Sequence, residues 1–126
     1  MLKIKRIYTP PARSDGYRVL VDRLWPRGLS KNKARVDLWM KEIGPSNALR
    51  KWFGHDPARW TAFRTRYWRE LRQMPQLTSE IKRLLKERRI VTLLFSARDE
   101  QHNQAVALCA FLQRGRRAKA KPPKAV

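Results

Sequence analysis

The sequence predicts an α/β fold with a small, mainly parallel sheet and helices on both faces. Two observations predict it. Residues 90–95 (Ile90, Val91, Thr92, Leu93, Leu94, Phe95) are almost wholly apolar without alternation, as in a strand covered on both faces in a parallel sheet. Amphipathic segments then recur on either side of it, with a polar junction, Ser96 to Asn103, leading into the last of them. Open α/β sheets bind ligands at the carboxyl ends of their strands, so that junction is where a site is expected.

The elements follow in order. Residues 2–8 suit a first strand, closed by the turn-rich 9–16 with Pro10, Pro11, Asp15 and Gly16. Residues 17–24 form a second strand with Val19, Leu20 and Val21 inward and Asp22 and Arg23 near its end. Pro26 and Gly28 then turn the chain out of the sheet. Ser30 suits an N-cap, and Val36, Trp39, Met40 and Ile43 recur at helical spacing, although 37–43 also fits a short strand. Gly44 and Pro45 stop it in either case. Ser46 caps a short helix that ends at Gly54. Asp56 before Pro57 opens a longer helix to about Met74, with Trp60, Phe63, Tyr67, Leu71 and Met74 on one face. Pro75 ends it, Thr78 or Ser79 starts the next, and a last helix with Ala105, Leu108, Cys109 and Leu112 inward ends near Gly115.

Composition bounds the function. The 126 residues and 42% hydrophobic content fit one compact domain, set at 1–113, with 114–126 a basic, disordered tail. Thirty Lys and Arg against 10 Asp and Glu give a formal net charge of +20. Six of those cations lie in 114–126 without an acid, which still leaves +14 on 1–113. Such an excess favours polyanionic partners: a phosphate-bearing small molecule or nucleic acid. One cysteine, Cys109, excludes an intrachain disulfide, and no apolar run approaches the roughly 20 residues of a membrane span. The expectation is a cytoplasmic protein without a membrane partner. The sequence calls for no cofactor and does not set an oligomeric state.

Three blocks, "RVLVDRLWPRGLSK", "LRKWFGHDPARWTAFRTRYWREL" and "VTLLFSARDEQHNQAVAL", together resemble the YeaO-like family of bacterial proteins, a domain of unknown function. The resemblance covers nearly the whole chain to Phe111 and implies a small single-domain α/β fold, with no activity attached. The residues that carry it are Asp22, Arg23, Trp25, Pro26, Arg27, Gly28, Trp52, Gly54, His55, Asp56, Pro57, Ser96, Asp99, His102 and Asn103. Phe95 and Arg98 stand where the family commonly has Tyr and Lys, and the basic tail lies outside the pattern.

Candidate site residues follow from both lines. If the second strand lies parallel to 90–95 and beside it, Arg23 and Arg27 approach Ser96 and the next helix's N-terminus, where guanidinium groups and free amides bind phosphate or carboxylate. The plainer alternative is an ion pair of Asp22 with Arg23 or Arg27. The expected pocket holds Arg23, Trp25, Arg27, Ser96 and Asn103 as ligand contacts and His55, His102 and Asp99 as catalytic candidates, with Trp25 able to stack on a base. A hydrolase triad is disfavoured, because Ser96, Asp99 and His102 share one loop without a nucleophile elbow. His55, His102, Asp56 and Asp99 lack the spacing of metal ligands, so no metal is expected. The competing class is a non-enzymatic DNA- or RNA-binding protein using a helical stripe of Arg59, Arg66 and Arg69 with the tail.

Overall fold

A computed structural model describes residues 1–120. It contains a four-stranded, fully parallel sheet with five helices, the small α/β architecture expected. The strands are β1 (Leu2–Arg6), β2 (Tyr17–Leu20), β3 (Leu38–Trp39) and β4 (Val91–Phe95), in the order β1-β4-β2-β3. The helices are α1 (Lys31–Ala34), α2 (Asn47–Phe53), α3 (Trp60–Arg72), α4 (Pro75–Glu87) and α5 (Gln104–Ala120).

All five residues of β4 are buried, as an apolar run without alternation requires. Its register aligns Phe95 with Arg6 of β1, and Leu94 with Leu20 of β2. Successive side chains of a strand point to opposite faces. Val91, Leu93 and Phe95 accordingly join the main core with Leu49 and Phe53 of α2, Phe63, Tyr67 and Leu71 of α3, Ile81 and Leu84 of α4, and Leu108 and Leu112 of α5. Leu94 faces the other way, onto a smaller cluster with Ile7, Leu20 and Ala34, flanked by Trp25, Leu29, Val36 and Trp39. Both faces are covered, but unequally. Four helices lie on one, and the single turn of α1 with its flanking segments lies on the other.

Local signals placed several boundaries correctly. The Ser46 hydroxyl accepts from the Leu49 amide at 3.2 Å, and α2 ends at a left-handed Gly54. Asp56 accepts from the Ala58 amide at 3.0 Å and opens a 3₁₀ turn, Pro57–Arg59, that leads into α3. Ser46 also donates from its amide and hydroxyl to Glu70, at 2.9 and 2.6 Å, and so ties α2 to α3.

One element left open is decided, and two boundaries differ from expectation. The helical spacing after Ser30 does not continue, because α1 stops after four residues and 37–43 becomes β3 and a 3₁₀ turn, Lys41–Ile43. Pairing decides it. The Asp37 and Met40 amides donate to the carbonyls of Arg18 and Leu20, both at 2.9 Å, which extends the sheet. Pro75 does not merely end α3; it is the first residue of α4, where the missing amide hydrogen costs nothing. The last helix passes Gly115 and reaches Ala120, into the segment expected as tail, whose remaining residues 121–126 lie outside the described residues.

Gly16 fixes how β2 enters the sheet. Its φ is +63°, and an added Cβ would stand 2.7 Å from the Ile90 Cβ, at the position just before β4. Replacing Gly16 with Ala therefore meets both backbone strain and backbone overlap, and should lower unfolding stability by about 2 kcal/mol or more in urea titration.

Candidate functional site

The parallel register brings the carboxyl ends of β1, β2 and β4 to one side of the sheet. The segments leaving them, with the side of α2 and the start of α5, enclose a pocket of about 710 Å³. That volume lies within the range of small-molecule sites. Five arginines line it: Arg6 at the end of β1, Arg23 and Arg27 after β2, Arg50 on α2, and Arg98 after β4. His55 joins them, and the one acid on the wall is Asp22. None of the five arginines is in an ion pair with a carboxylate among the described residues.

Neutral oxygens position three of them instead. Arg6 Nε donates to the Ala97 carbonyl at 3.0 Å, and Arg23 donates through Nε and Nη2 to the carbonyls of Pro45 and Gly44 at 2.9 and 3.0 Å. Arg50 Nη2 donates to Asn47 Oδ1 at 3.0 Å, while its buried Nε has no partner. A carbonyl orients a guanidinium without cancelling its charge, so the pocket keeps a strong positive potential.

Asp22 is buried at the end of β2 and accepts from the Ser96 amide at 3.0 Å and from the Gln104 side chain. Burial pushes its carboxyl above the usual range, against the opposing pull of hydrogen bonds from Ser96 and Gln104 and the charge of Arg50. It forms no ion pair with Arg23 or Arg27, so the plainer alternative fails. The amide of Ser96 is spent on Asp22. Asn103, 1% exposed, caps α5 by accepting from the Val106 amide at 3.0 Å, and Asp99 accepts from the amides of Gln101 and His102 at 2.9 and 3.0 Å. With these junction amides already bonded, anion attraction in the pocket falls chiefly to the arginines.

Of the residues expected in the pocket, the structure brings together Arg23, Trp25, Arg27, His55, Ser96 and Asn103. It leaves Asp99 and His102 outside the pocket walls. There His102 Nδ1 meets Asp99 Oδ2 at 2.9 Å, and the His102 ring packs edge-on against Trp60 at 5.3 Å. Trp25 lines the pocket, but its indole NH donates to the Leu29 carbonyl at 2.6 Å and its ring packs T-shaped on Trp39. His55 follows Gly54, both with left-handed backbone, and stands exposed.

The helical arginines lie elsewhere. Arg59 and Arg66 place their guanidinium groups 5.1 and 4.0 Å from the Trp52 ring centroid, and Arg59 also meets Asp56 at 3.8 Å. Arg69 is exposed on α3. Among the described residues no group of three or more His, Cys, Asp or Glu could hold a metal ion, and no helix is long and apolar enough to cross a membrane.

Sequence reasoning missed Arg6, Tyr8, Leu24, Arg50 and Gln104 as pocket residues, whereas Arg98 lies in the junction where a site was expected.

Fold and site define a small parallel α/β protein with a cationic pocket at its strand ends. The chain matches, over residues 1–125, the family described as the Inactive DUF488-N3 subclade, and it belongs to that family. It is 44% identical over 114 residues to the Uncharacterized protein YeaO of Escherichia coli, covering 89% of this chain and 96% of that protein, so the YeaO-like resemblance holds. Uncharacterized proteins of Mycobacterium tuberculosis and Mycobacterium bovis are 37% identical over 111 residues, covering 88% of this chain and 92% of theirs. No solved structure matches the chain.

Hydrogen bonding from His102 holds the Asp99 carboxyl below its ordinary value of 3.8, helped by the Gln101 amide. A lowered carboxylate stabilises the fold above its ordinary value and loses that contribution as pH falls through the lowered one. Asp99→Asn should therefore be less stable than the parent at neutral pH, with the gap closing below pH 3.8, as read from denaturant midpoints across pH.

Proposed function

We propose that the pocket binds a phosphate-bearing ligand, a nucleotide or the end of a nucleic acid. The observation that carries this is the gathering of five arginines from separate parts of the chain, none neutralised by a carboxylate. Guanidinium groups match phosphate oxygens in geometry as well as charge. Arg23 is anchored, Arg27 is exposed at the wall, and Ser96 and Asn103 line the pocket from the junction.

The family description, an inactive subclade, supports binding without turnover. Of the three catalytic candidates only His55 is on the pocket wall, so any proton transfer to a bound ligand would fall to it and not to His102 or Asp99. The absence of a membrane-crossing helix among the described residues and the single cysteine support a cytoplasmic setting.

A non-enzymatic DNA- or RNA-binding role through Arg59, Arg66 and Arg69 draws support from the net charge of +20. It draws less from the geometry, because Arg59 and Arg66 are engaged with Trp52 and Asp56.

A thermal-shift screen over nucleotides, sugar phosphates and short oligonucleotides separates the two. A ligand present at about 100 times its Kd adds about 2.7 kcal/mol, a rise of several degrees in Tm for a chain of this length. Arg27→Ala should abolish most of the shift, and removal of residues 121–126 should leave it intact. The opposite pattern, with binding that falls steeply with salt and ignores Arg27, would support the surface role.

A further inference from the structure

Four large apolar side chains stand exposed among the described residues, and two of them, Tyr8 and Leu24, line the arginine pocket. Tyr8 is 38% exposed and Leu24 62%. A lone exposed apolar residue needs no explanation. Tyr8, however, is held. Its hydroxyl donates to the Arg27 carbonyl at 2.7 Å, and the Arg6 guanidinium lies 4.7 Å from its ring centroid. Arg6 is in turn fixed by the Ala97 carbonyl. The phenol is thus oriented by two pocket arginines while much of its ring remains open to solvent. With its one donor hydrogen spent, what the ring chiefly offers a guest is the face turned away from Arg6. Trp25 is less open than Tyr8, being partly buried with its ring packed T-shaped on Trp39.

We propose that Tyr8 and Leu24 form a base-stacking subsite at the pocket edge, so that the guest is a nucleotide unit with its phosphate among the arginines and its base on the Tyr8 ring. This rests on the phosphate-binding role of the pocket. A stacking face without a hydrogen-bonding edge tolerates any base, because every base has a π-face. The subsite therefore distinguishes nucleotides from sugar phosphates but discriminates little among the four bases. The phosphate and base could belong to a free nucleotide or to the last residue of a strand.

Calorimetric titration of the full chain with nucleoside 5′-monophosphates, ribose 5-phosphate and short oligonucleotides, with and without a 5′-phosphate, tests the proposal. Stacking should make the monophosphates bind at least about fivefold more tightly than ribose 5-phosphate. Tyr8→Ala should collapse that ratio towards one, and Tyr8→Phe, which keeps the ring and loses the hydroxyl, should restore most of it. A 5′-phosphorylated oligonucleotide that outbinds the monophosphate, with the same Tyr8 dependence, upholds the subsite and assigns it to strand ends. A monophosphate that outbinds the oligonucleotide upholds it for free nucleotides. Equal affinity for nucleotide and ribose 5-phosphate in the parent chain, or a ratio that Tyr8→Ala does not change, overturns the subsite and leaves the pocket's phosphate binding standing. Failure of both nucleotide and ribose 5-phosphate to bind overturns the pocket role itself, and this proposal with it.

Discussion

The parallel pairing of β4 with both β1 and β2 is the constraint on which the rest depends. Because all three strands run the same way and in matched register, residues far apart in sequence leave the sheet side by side: Arg6 beside Phe95, and Leu20 beside Leu94. Antiparallel pairing at either interface would send one set of arginines to the opposite end of the sheet. The energetic basis is the complete burial of β4, whose side chains contribute to the cores on both faces. Each such aliphatic side chain contributes about 1.5–3 kcal/mol when removed from water. Charge convergence at the pocket is thus supported by apolar burial deeper in the sheet, not by electrostatics.

Much of the fold was legible because its signals were local. A continuous apolar run announces a covered strand, and Ser46, Gly54 and Asp56 each carry their capping chemistry within a few residues. Readings stayed open or went astray where local spacing did not decide the outcome. Residues 37–43 contain a helical period, yet the amides of Asp37 and Met40 find acceptors on β2, and that long-range pairing prevails over spacing. Pro75 reads equally as a stop and as a first helical residue, and the start of α4 at Pro75 settles it.

The site was legible to the same depth. Arg23, Trp25, Arg27 and Ser96 could be placed together once a parallel sheet was inferred, because the rule about strand ends applies to any such sheet. Arg6 and Tyr8 escaped, since no local feature says that β1 lies next to β4. Arg50 escaped because the direction a helical side chain faces depends on how α2 packs against α3. Asp99 and His102 misled through proximity in sequence. They lie in the same junction as Ser96 but bond to each other and to nearby amides, in a turn of their own beside Trp60.

The anchoring of Arg6 and Arg23 by carbonyl oxygens, with no carboxylate paired to any of the pocket arginines, has one more consequence. A guanidinium balanced by a carboxylate gains or loses its counter-charge as the acid titrates, whereas a peptide oxygen never changes its protonation state. The arginines' share of the field inside this cavity is consequently permanent over the whole working pH range, and Asp22 and His55 are the other ionisable groups on its wall. Guanidinium groups held this way present the same charge in acidic and alkaline surroundings, and leave much of the decision about when to enter to the guest's own ionisation.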